Sequence, residues 1–207
     1  MEDADGRVIQ LAWLRRSFYP NEVNYSPGMP FNQQMTFPCE LTLKSHNGGM
    51  RVFRTPIKEV EKLHRSEQTW SDKTLTAGAE LKLGAGDGFH VKVELEMKDG
   101  AVGEIRFRGE TVRFANGKID LRGRIASFVL PKDAAGKNAP IPLTQLELLL
   151  DRTSMEVFAN GGEVSLSGAF VPSSEEFTLL CTKGEILLRS LKVFTMGAIW
   201  EDAKNSP

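Results

Sequence analysis

The chain has 207 residues, of which 41% are hydrophobic and 26% are charged, so it is long enough to bury a substantial core. Its 26 Lys and Arg residues nearly balance its 27 Asp and Glu residues, which removes the electrostatic reason to propose nucleic acid or an anionic membrane as a partner. No apolar run approaches the ~20 residues of a membrane span, and the start, MEDADGRVIQ, lacks the pattern of a signal peptide. Localisation therefore depends on whether Met1 is the natural start: we expect a secreted or periplasmic protein if a signal peptide precedes it, and a cytoplasmic one otherwise.

The N-terminal block, residues 1–55, is predicted to contain three strands and a long loop. RVIQLAWLRR (residues 7–16) has a strand pattern, and MTFPCELTL (35–43) followed by GMRVFR (49–54) predicts a hairpin that turns at residues 47–49. A ribbon of two or three strands is only marginally stable in isolation. We therefore expect this block to need a partner.

A short connecting helix is predicted after this block. PIKEVEKLHRSE (residues 56–67) places Ile57, Val60 and Leu63 at helical spacing, with an early Pro and with acidic residues ahead of basic ones. We assign residues 56–69 to a linking helix and loop.

The rest of the chain alternates apolar and polar residues between turn signals. FHVKVELEMK (residues 89–98) places apolar side chains on one face and charged side chains on the other, as in a sheet with one buried face. Residue pairs that tolerate positive φ recur between such runs and predict hairpin tips at Asn47-Gly48, Asp87-Gly88, Asp99-Gly100, Asn116-Gly117 and Asn160-Gly161. The predicted fold class is all-β: an antiparallel β-sandwich of the jelly-roll or concanavalin-like kind over residues 70–202, followed by a tail, 203–207.

Several segments resemble glycoside hydrolase family 32, and they occur in the order found in that family. They are GRVIQLAWLR, GMPFNQQMTFPCELTL, PIKEVEKLH, DRTSMEVFANGGEVSLS and LKVFTMGAIW, and together they extend over nearly the whole chain. Levanases, inulinases and invertases of that family join a five-bladed propeller to a C-terminal β-sandwich. The resemblance implies that residues 1–55 are the remnant of the last propeller blade and that the chain is the C-terminal part of such an enzyme.

The same resemblance implies that the catalytic acids lie elsewhere. In that family they occur in earlier blades, in motifs of the type Trp-Met-Asn-Asp-Pro-Asn-Gly, Arg-Asp-Pro and Glu-Cys, and this sequence has none of the three. It also has Pro38-Cys39-Glu40 where the family usually has Pro-Arg-Glu. We assign none of the family's catalytic residues to this sequence and predict that the chain alone is inactive. It would support a retaining, fructan-degrading glycosidase that acts on levan, inulin or sucrose.

The carboxylates of the chain do not form a convincing catalytic pair. Glu94 and Glu96 would lie about 7 Å apart on one strand face, but the same face carries Lys92, so we expect both to be hydrated and ionised. Asp151 and Glu156 differ by an odd number of residues, so a regular strand would place them on opposite faces. We assign both to structural roles.

No metal ion or cofactor is predicted. His46, His64 and His90 lack the spacing of a metal site, and Cys39 and Cys181 form no CxxC pair, so we expect both cysteines to be buried thiols. GAGDGF, residues 84–89, has the glycines of a phosphate loop but leads into a strand, which predicts a turn.

Four residues are predicted to bind substrate: Phe31, Asn32, Gln33 and Gln34. Sugars are held by aromatic faces with convergent polar groups, and in the resembled enzymes this loop lies near the mouth of the propeller funnel. The alternative is that the loop is merely polar and that Trp13 and Phe37 belong to the core of the blade.

The predicted partners are the propeller catalytic domain of the same enzyme and a fructan or sucrose-type carbohydrate, and a homodimer contact is left open. Two alternative functions remain: a stand-alone carbohydrate-binding, lectin-like sandwich, and a module for assembly.

Overall fold

The structure, a computed structural model, describes residues 5–14, 34–46, 49–128 and 139–198. These residues form seventeen β-strands and one short 3₁₀ helix. Within these ranges, no helix is long and apolar enough to cross a membrane. The predicted architecture is confirmed: an antiparallel sandwich follows a group of smaller strands.

Two six-stranded antiparallel sheets form the sandwich. Sheet I contains, in spatial order, β15 (Val164–Ala169), β14 (Ser154–Ala159), β13 (Gln145–Asp151), β8 (Phe89–Met97), β17 (Glu185–Met196) and β6 (His64–Thr76). Sheet II contains, in spatial order, β12 (Arg124–Ser127), β11 (Lys118–Leu121), β10 (Glu110–Ala115), β9 (Val102–Phe107), β16 (Phe177–Lys183) and β7 (Glu80–Lys82).

The main core lies between these two sheets. The apolar side of β8 points into it, with Val91 fully buried and Val93 2% exposed, which confirms the alternation predicted for this strand. Three phenylalanine rings meet in the same core, since the ring centroid of Phe89 lies 4.5 Å from that of Phe177 and 6.0 Å from that of Phe107. Sheet I therefore has one face on the core and one face, here called its outer face, turned away from it.

The predicted hairpin tips have different outcomes. Asn116-Gly117 and Asn160-Gly161 join paired strands, as predicted, with φ of 78° at Gly117 and 66° at Gly161. Asp87-Gly88 and Asp99-Gly100 instead connect strands that belong to opposite sheets, so the hairpin prediction is wrong there. Turn chemistry specifies a reversal of the chain, but the next strand can pair with its neighbour or cross the sandwich. Asn47-Gly48 lies outside the described residues.

The predicted helix over residues 56–67 is shorter than expected and is not an α-helix. A 3₁₀ helix spans Lys58–Leu63, and Val60 is its buried residue. From His64 onward the chain is extended and pairs with β17 along almost the whole length of that strand. Three apolar residues make a short stripe, and the backbone hydrogen bonds of the sheet outweigh the remaining helical preference.

The first strands form a separate ribbon: β1 (Val8–Gln10), β2 (Trp13–Leu14), β3 (Gln34–Met35), β4 (Cys39–His46) and β5 (Gly49–Pro56). The order β1-β4-β5 makes one three-stranded sheet, and β2 pairs with β3. Between these pairs, the amide of Thr36 donates to the carbonyl of Ala12 at 2.8 Å, so the two ladders continue one another. We call these five strands the N-terminal ribbon.

Candidate functional site

The N-terminal ribbon packs against the outer face of sheet I. A second apolar cluster, separate from the main core, joins them through Cys39 of β4, Val60 of the 3₁₀ helix, and Leu149 and Phe158 of sheet I. These side chains are between 0% and 5% exposed. Cys39 and Cys181 are both buried and free, as predicted. Burial raises the pKa of Cys39 to about 12, so its thiol stays protonated and serves packing instead of nucleophilic chemistry.

Glu156 of β14 lies at the centre of this contact, with a side chain that is 1% exposed. Its carboxylate accepts hydrogen bonds from the backbone amide of Phe37 at 2.6 Å, from the guanidinium of Arg54 at 2.9 Å and from the hydroxyl of Ser167 at 2.7 Å. The first two donors belong to the ribbon side and the third belongs to β15. A buried carboxylate is tolerated only when it is paired and hydrogen-bonded, so Glu156 binds the two parts of the chain together.

A second buried carboxylate makes a similar link near the far end of the hairpin β4–β5. Glu163, whose side chain is 2% exposed, lies 3.3 Å from the Nε2 atom of His46 and 3.3 Å from the guanidinium of Arg51. Beside it, the amide of Arg54 donates to the carbonyl of Gly162 at 3.0 Å. The edge of β5 is therefore held against the turn between β14 and β15.

Gln34 lies at the third contact between the ribbon and the sandwich. Its amide nitrogen donates to the carbonyl of Thr153 at 3.1 Å, and its amide oxygen accepts from the Thr153 hydroxyl at 3.0 Å. Phe31, Asn32 and Gln33 lie outside the described residues. That these four residues line a sugar subsite stays a prediction, and Thr153 is the residue that holds the end of this segment.

One face of the ribbon carries four apolar side chains, three of which the described chain leaves largely exposed. Val8 pairs with Leu41, and Leu43 pairs with Val52, so the four side chains share one face of the sheet. Val8 is 46% exposed, Val52 56% and Leu43 62%. We call these four residues the apolar face.

The same exposure extends to the shorter pair of strands. Trp13 and Met35 are paired across β2 and β3, and they are 68% and 56% exposed. Phe37 is half-buried and packs against the second apolar cluster. Among the described residues, Phe37 therefore belongs to a core and Trp13 does not.

The 3₁₀ helix is attached to the rest of the chain by two ion pairs. The guanidinium of Arg7 donates to Glu59 at 2.9 Å, and the ammonium of Lys92 donates to Glu61 at 2.5 Å. The hydrogen bond from Arg7 lowers the pKa of Glu59, and the hydrogen bond from Lys92 lowers the pKa of Glu61. The helix thus links β1 of the ribbon to β8 of sheet I.

Two histidines and a carboxylate form a hydrogen-bonded chain beside this helix. The Nε2 atom of His64 lies 2.9 Å from the Nδ1 atom of His90, and the Nε2 atom of His90 lies 2.7 Å from a carboxylate oxygen of Glu147. His90 is 1% exposed, and the ring of His64 stacks on Phe194 with centroids 3.9 Å apart. Because a carboxylate can only accept, His90 donates to Glu147 through Nε2, and the tautomers of the two rings set the direction of the hydrogen bond between His64 and His90.

A polar cleft of about 350 Å³ lies on the outer face of sheet I beside the ribbon. The side chains along it form two rows across β13, β8 and β17. One row contains Gln145, Glu94 and Ser190, and the next contains Glu147, Lys92 and Lys192. Phe158, which pairs with Glu147, and Gly161 of the β14–β15 turn also line it.

The structure tests the predicted carboxylate roles. Glu94 and Glu96 are both exposed, and Glu96 accepts a hydrogen bond from Arg189 at 2.8 Å, so the hydrated face is confirmed. The prediction for Asp151 and Glu156 is wrong in its geometry. A turn separates them, and the register of β13 and β14 places both on the outer face of sheet I. They differ in burial, since Asp151 is exposed and binds the amide of the next residue.

Most of the contacts between the ribbon and the sandwich were not predicted from the sequence. A signal did exist at Glu156, which is a charged residue inside the apolar strand SMEVFA. Glu163 gave no such signal, because it follows a glycine turn where a charged residue is ordinary. Within the described ranges, no group of three His, Cys, Asp or Glu side chains is placed to hold a metal ion.

Comparison with known proteins gives the family. The model of the family described as "Glycosyl hydrolases family 32 C terminal" matches residues 59–195. A levanase of Bacillus subtilis (strain 168) is 26% identical over 216 residues, which cover 95% of this chain and 32% of that protein. A levanase of Bacillus sp. (strain L7) is 29% identical over 231 residues, which cover 98% of this chain and 24% of that protein.

Solved structures show the same fold. An exo-inulinase from Aspergillus awamori superimposes with a TM-score of 0.63 and 20% identity, over 93% of this chain and 41% of that one. The chain thus belongs to glycosyl hydrolase family 32, and it corresponds to the C-terminal domain of that family. It spans about a quarter to a third of the length of the two levanases.

Proposed function

We propose that this chain acts as the C-terminal portion of a fructan-degrading glycosidase, where it completes and supports a catalytic propeller without supplying the catalytic acids. The apolar face of the ribbon carries this proposal. Contiguous apolar side chains that are about half exposed are unusual on a soluble monomer and mark an interaction site. A propeller is the partner that fits, because its blades are packed antiparallel sheets.

The shape of the ribbon supports the same partner. Propeller blades typically have four strands, and the sheet β1-β4-β5 has three, with β1 at its edge. The ribbon is also held firmly from the sandwich side, by Glu156, Glu163 and the pair Gln34–Thr153. Cys39 and Arg54, which contact sheet I, lie on the same sheet face as the apolar residues. The sandwich would then hold one end of this face while its apolar part closes against the neighbouring parts of the propeller.

The substrate class follows from the named relatives, two of which are levanases, and from the predicted loop. In this proposal Phe31, Asn32, Gln33 and Gln34 line outer substrate subsites, and two hydrogen bonds to Thr153 fix Gln34 to the sandwich. The homodimer contact remains a prediction, which sedimentation at several concentrations would test.

The experiment joins this chain to the catalytic portion of the Bacillus subtilis levanase, in place of the segment that aligns with it. Fructose release from levan is measured for the joined protein, for the levanase portion alone and for this chain alone. We expect release from the joined protein only. A joined protein that is folded by circular dichroism but inactive would contradict the proposal, and so would sugar release by this chain alone.

A further inference from the structure

The polar cleft on the outer face of sheet I has a composition that selects among ligands. It contains two lysines, Lys92 and Lys192, and two glutamates, Glu94 and Glu147. Their formal charges cancel, so a simple anion or cation gains little net attraction there. A neutral ligand with several hydroxyl groups gains more, because each hydroxyl can donate to a carboxylate and accept from an ammonium.

The two rows of the cleft differ in how their side chains are engaged. In the row Glu147, Lys92 and Lys192, each residue is paired: with His90 at 2.7 Å, with Glu61 at 2.5 Å and with Glu67 at 3.3 Å. In the row Gln145, Glu94 and Ser190, no side chain forms a hydrogen bond or ion pair with another described residue. The second row therefore presents an amide, a carboxylate and a hydroxyl side by side, ready for a ligand, while the first row holds its charges in fixed places.

The cleft is large enough for a short sugar. Its volume of about 350 Å³ falls within the ~300–1,000 Å³ of ordinary small-ligand pockets. Phe158 lies beneath the cleft with its ring 5.2 Å from the guanidinium of Arg54, and it is only 1% exposed, so it forms a packed floor and leaves the contacts with a ligand to the polar side chains.

We infer that this cleft is a binding site for a short furanosyl oligosaccharide, with Glu94 and Gln145 as its principal hydrogen-bonding residues. The choice of a fructose-containing sugar rests on the proposed function, whereas the preference for a neutral polyol rests on the cleft alone. Glu94 and Gln145 face each other across β8 and β13, so one ring with adjacent hydroxyls can bind both.

Titration calorimetry of the 207-residue chain tests this site. Short levan-type and inulin-type oligosaccharides are the probes, and malto-oligosaccharides are the comparison. We expect millimolar affinity for a fructan probe and about tenfold weaker binding by Glu94→Ala and by Gln145→Ala, since each loses one hydrogen bond. Glu96→Ala is the matched control, because Glu96 lies two residues away on the same exposed face of β8 but outside the cleft.

Three results would overturn the inference: no binding of either fructan probe, equal loss of affinity in Glu96→Ala, or equal affinity for the malto-oligosaccharides. The outcome is separable from that of the proposed function, which is measured as fructose release by the joined protein. If the chain binds a fructan probe through Glu94 but the joined protein releases no fructose, the binding site is supported and the proposed function is contradicted.

Discussion

At the scale of single residues, the buried carboxylate of Glu156 makes the central contact between the ribbon and the sandwich. Glu156 takes all of its hydrogen bonds from groups that are distant in sequence or in a neighbouring strand. A buried carboxylate destabilises the fold unless all of its hydrogen-bond partners are present, so its contribution to stability depends on the whole contact. The consequence is that removal of this one side chain should weaken the contact between the ribbon and sheet I.

We predict that Glu156→Ala lowers the free energy for opening of the ribbon by about 3–5 kcal/mol, because Arg54 is left buried without its partner. Hydrogen exchange of the amides in β4 and β5 measures it. Asp151→Ala is the matched control in the same hairpin, and it should change stability by less than about 0.5 kcal/mol. Equal effects of the two substitutions would show that Glu156 is not the link.

The histidine chain predicts a pH dependence of stability. Burial is the main cause that lowers the pKa of His64 below 6.5, and His90 and Lys92 act in the same direction, while Glu61 and Glu67 oppose it. Glu147 faces the other nitrogen of His90. His64 is thus neutral in the folded chain, so its contribution is present above its unfolded pKa and is lost as the pH falls.

Urea unfolding at about pH 8 and about pH 5 should therefore show lower stability at the acidic pH. His64→Gln should reduce that difference, because the variant has no imidazole to protonate. An unchanged pH dependence in this variant would assign the effect to other groups.

How far the sequence specifies these residues can be judged from Glu94 and Glu156. The environment of Glu94 follows from local alternation, and it was predicted correctly. The environment of Glu156 depends on Arg54, which is 102 positions away. No local pattern carries that information, because the pairing is created only when the ribbon docks on sheet I.

At the scale of elements, the turn between β14 and β15 fixes how closely the ribbon approaches. A Cβ atom at Gly162 would lie 2.1 Å from the carbonyl oxygen of Arg54, whereas at Gly161 the nearest atom is 3.9 Å away, in the side chain of Gln145. Both glycines have positive φ, 85° and 66°. A substitution at either position would therefore strain the backbone, but only a substitution at Gly162 would also clash with β5.

Gly161→Ala should cost about 1–2 kcal/mol through the left-handed backbone alone. Gly162→Ala should cost about 1–3 kcal/mol more, because β5 must move away and lose the hydrogen bond from Arg54 to Gly162. Chemical denaturation of the two variants gives the difference. If both cost the same, β5 does not rest on this turn.

Elements also differ in how well local sequence predicts them. Alternation was enough for β8, which has one buried face. It did not reveal the turn that separates β13 from β14, because β14 is buried on both faces. The segment 64–76 was harder to assign, because β6 is an edge strand with mostly exposed side chains and carries little apolar periodicity. The length of the helix before β6 was overestimated, because three apolar residues happen to fit helical spacing.

At the scale of the whole molecule, the described part of the sandwich encloses a core and the described part of the ribbon leaves one face exposed. The sandwich has its own core between two six-stranded sheets, whereas the ribbon leaves Trp13, Leu43 and Val52 exposed. We predict that the ribbon is the least protected described part of the isolated chain in hydrogen exchange. Protection equal to that of β8 and β17 would mean that the ribbon is already fully partnered, unless a second copy of the chain covers it.

The most direct measurement is fructose release from levan by the joined protein with one lysine introduced at either of two equally exposed apolar positions. Leu43 is 62% exposed on the apolar face, and Ile125 is 61% exposed on the far strand β12 of sheet II. If the apolar face closes against a propeller, Leu43→Lys abolishes release and Ile125→Lys leaves it unchanged. Equal activity of the two variants would contradict a propeller interface on this face.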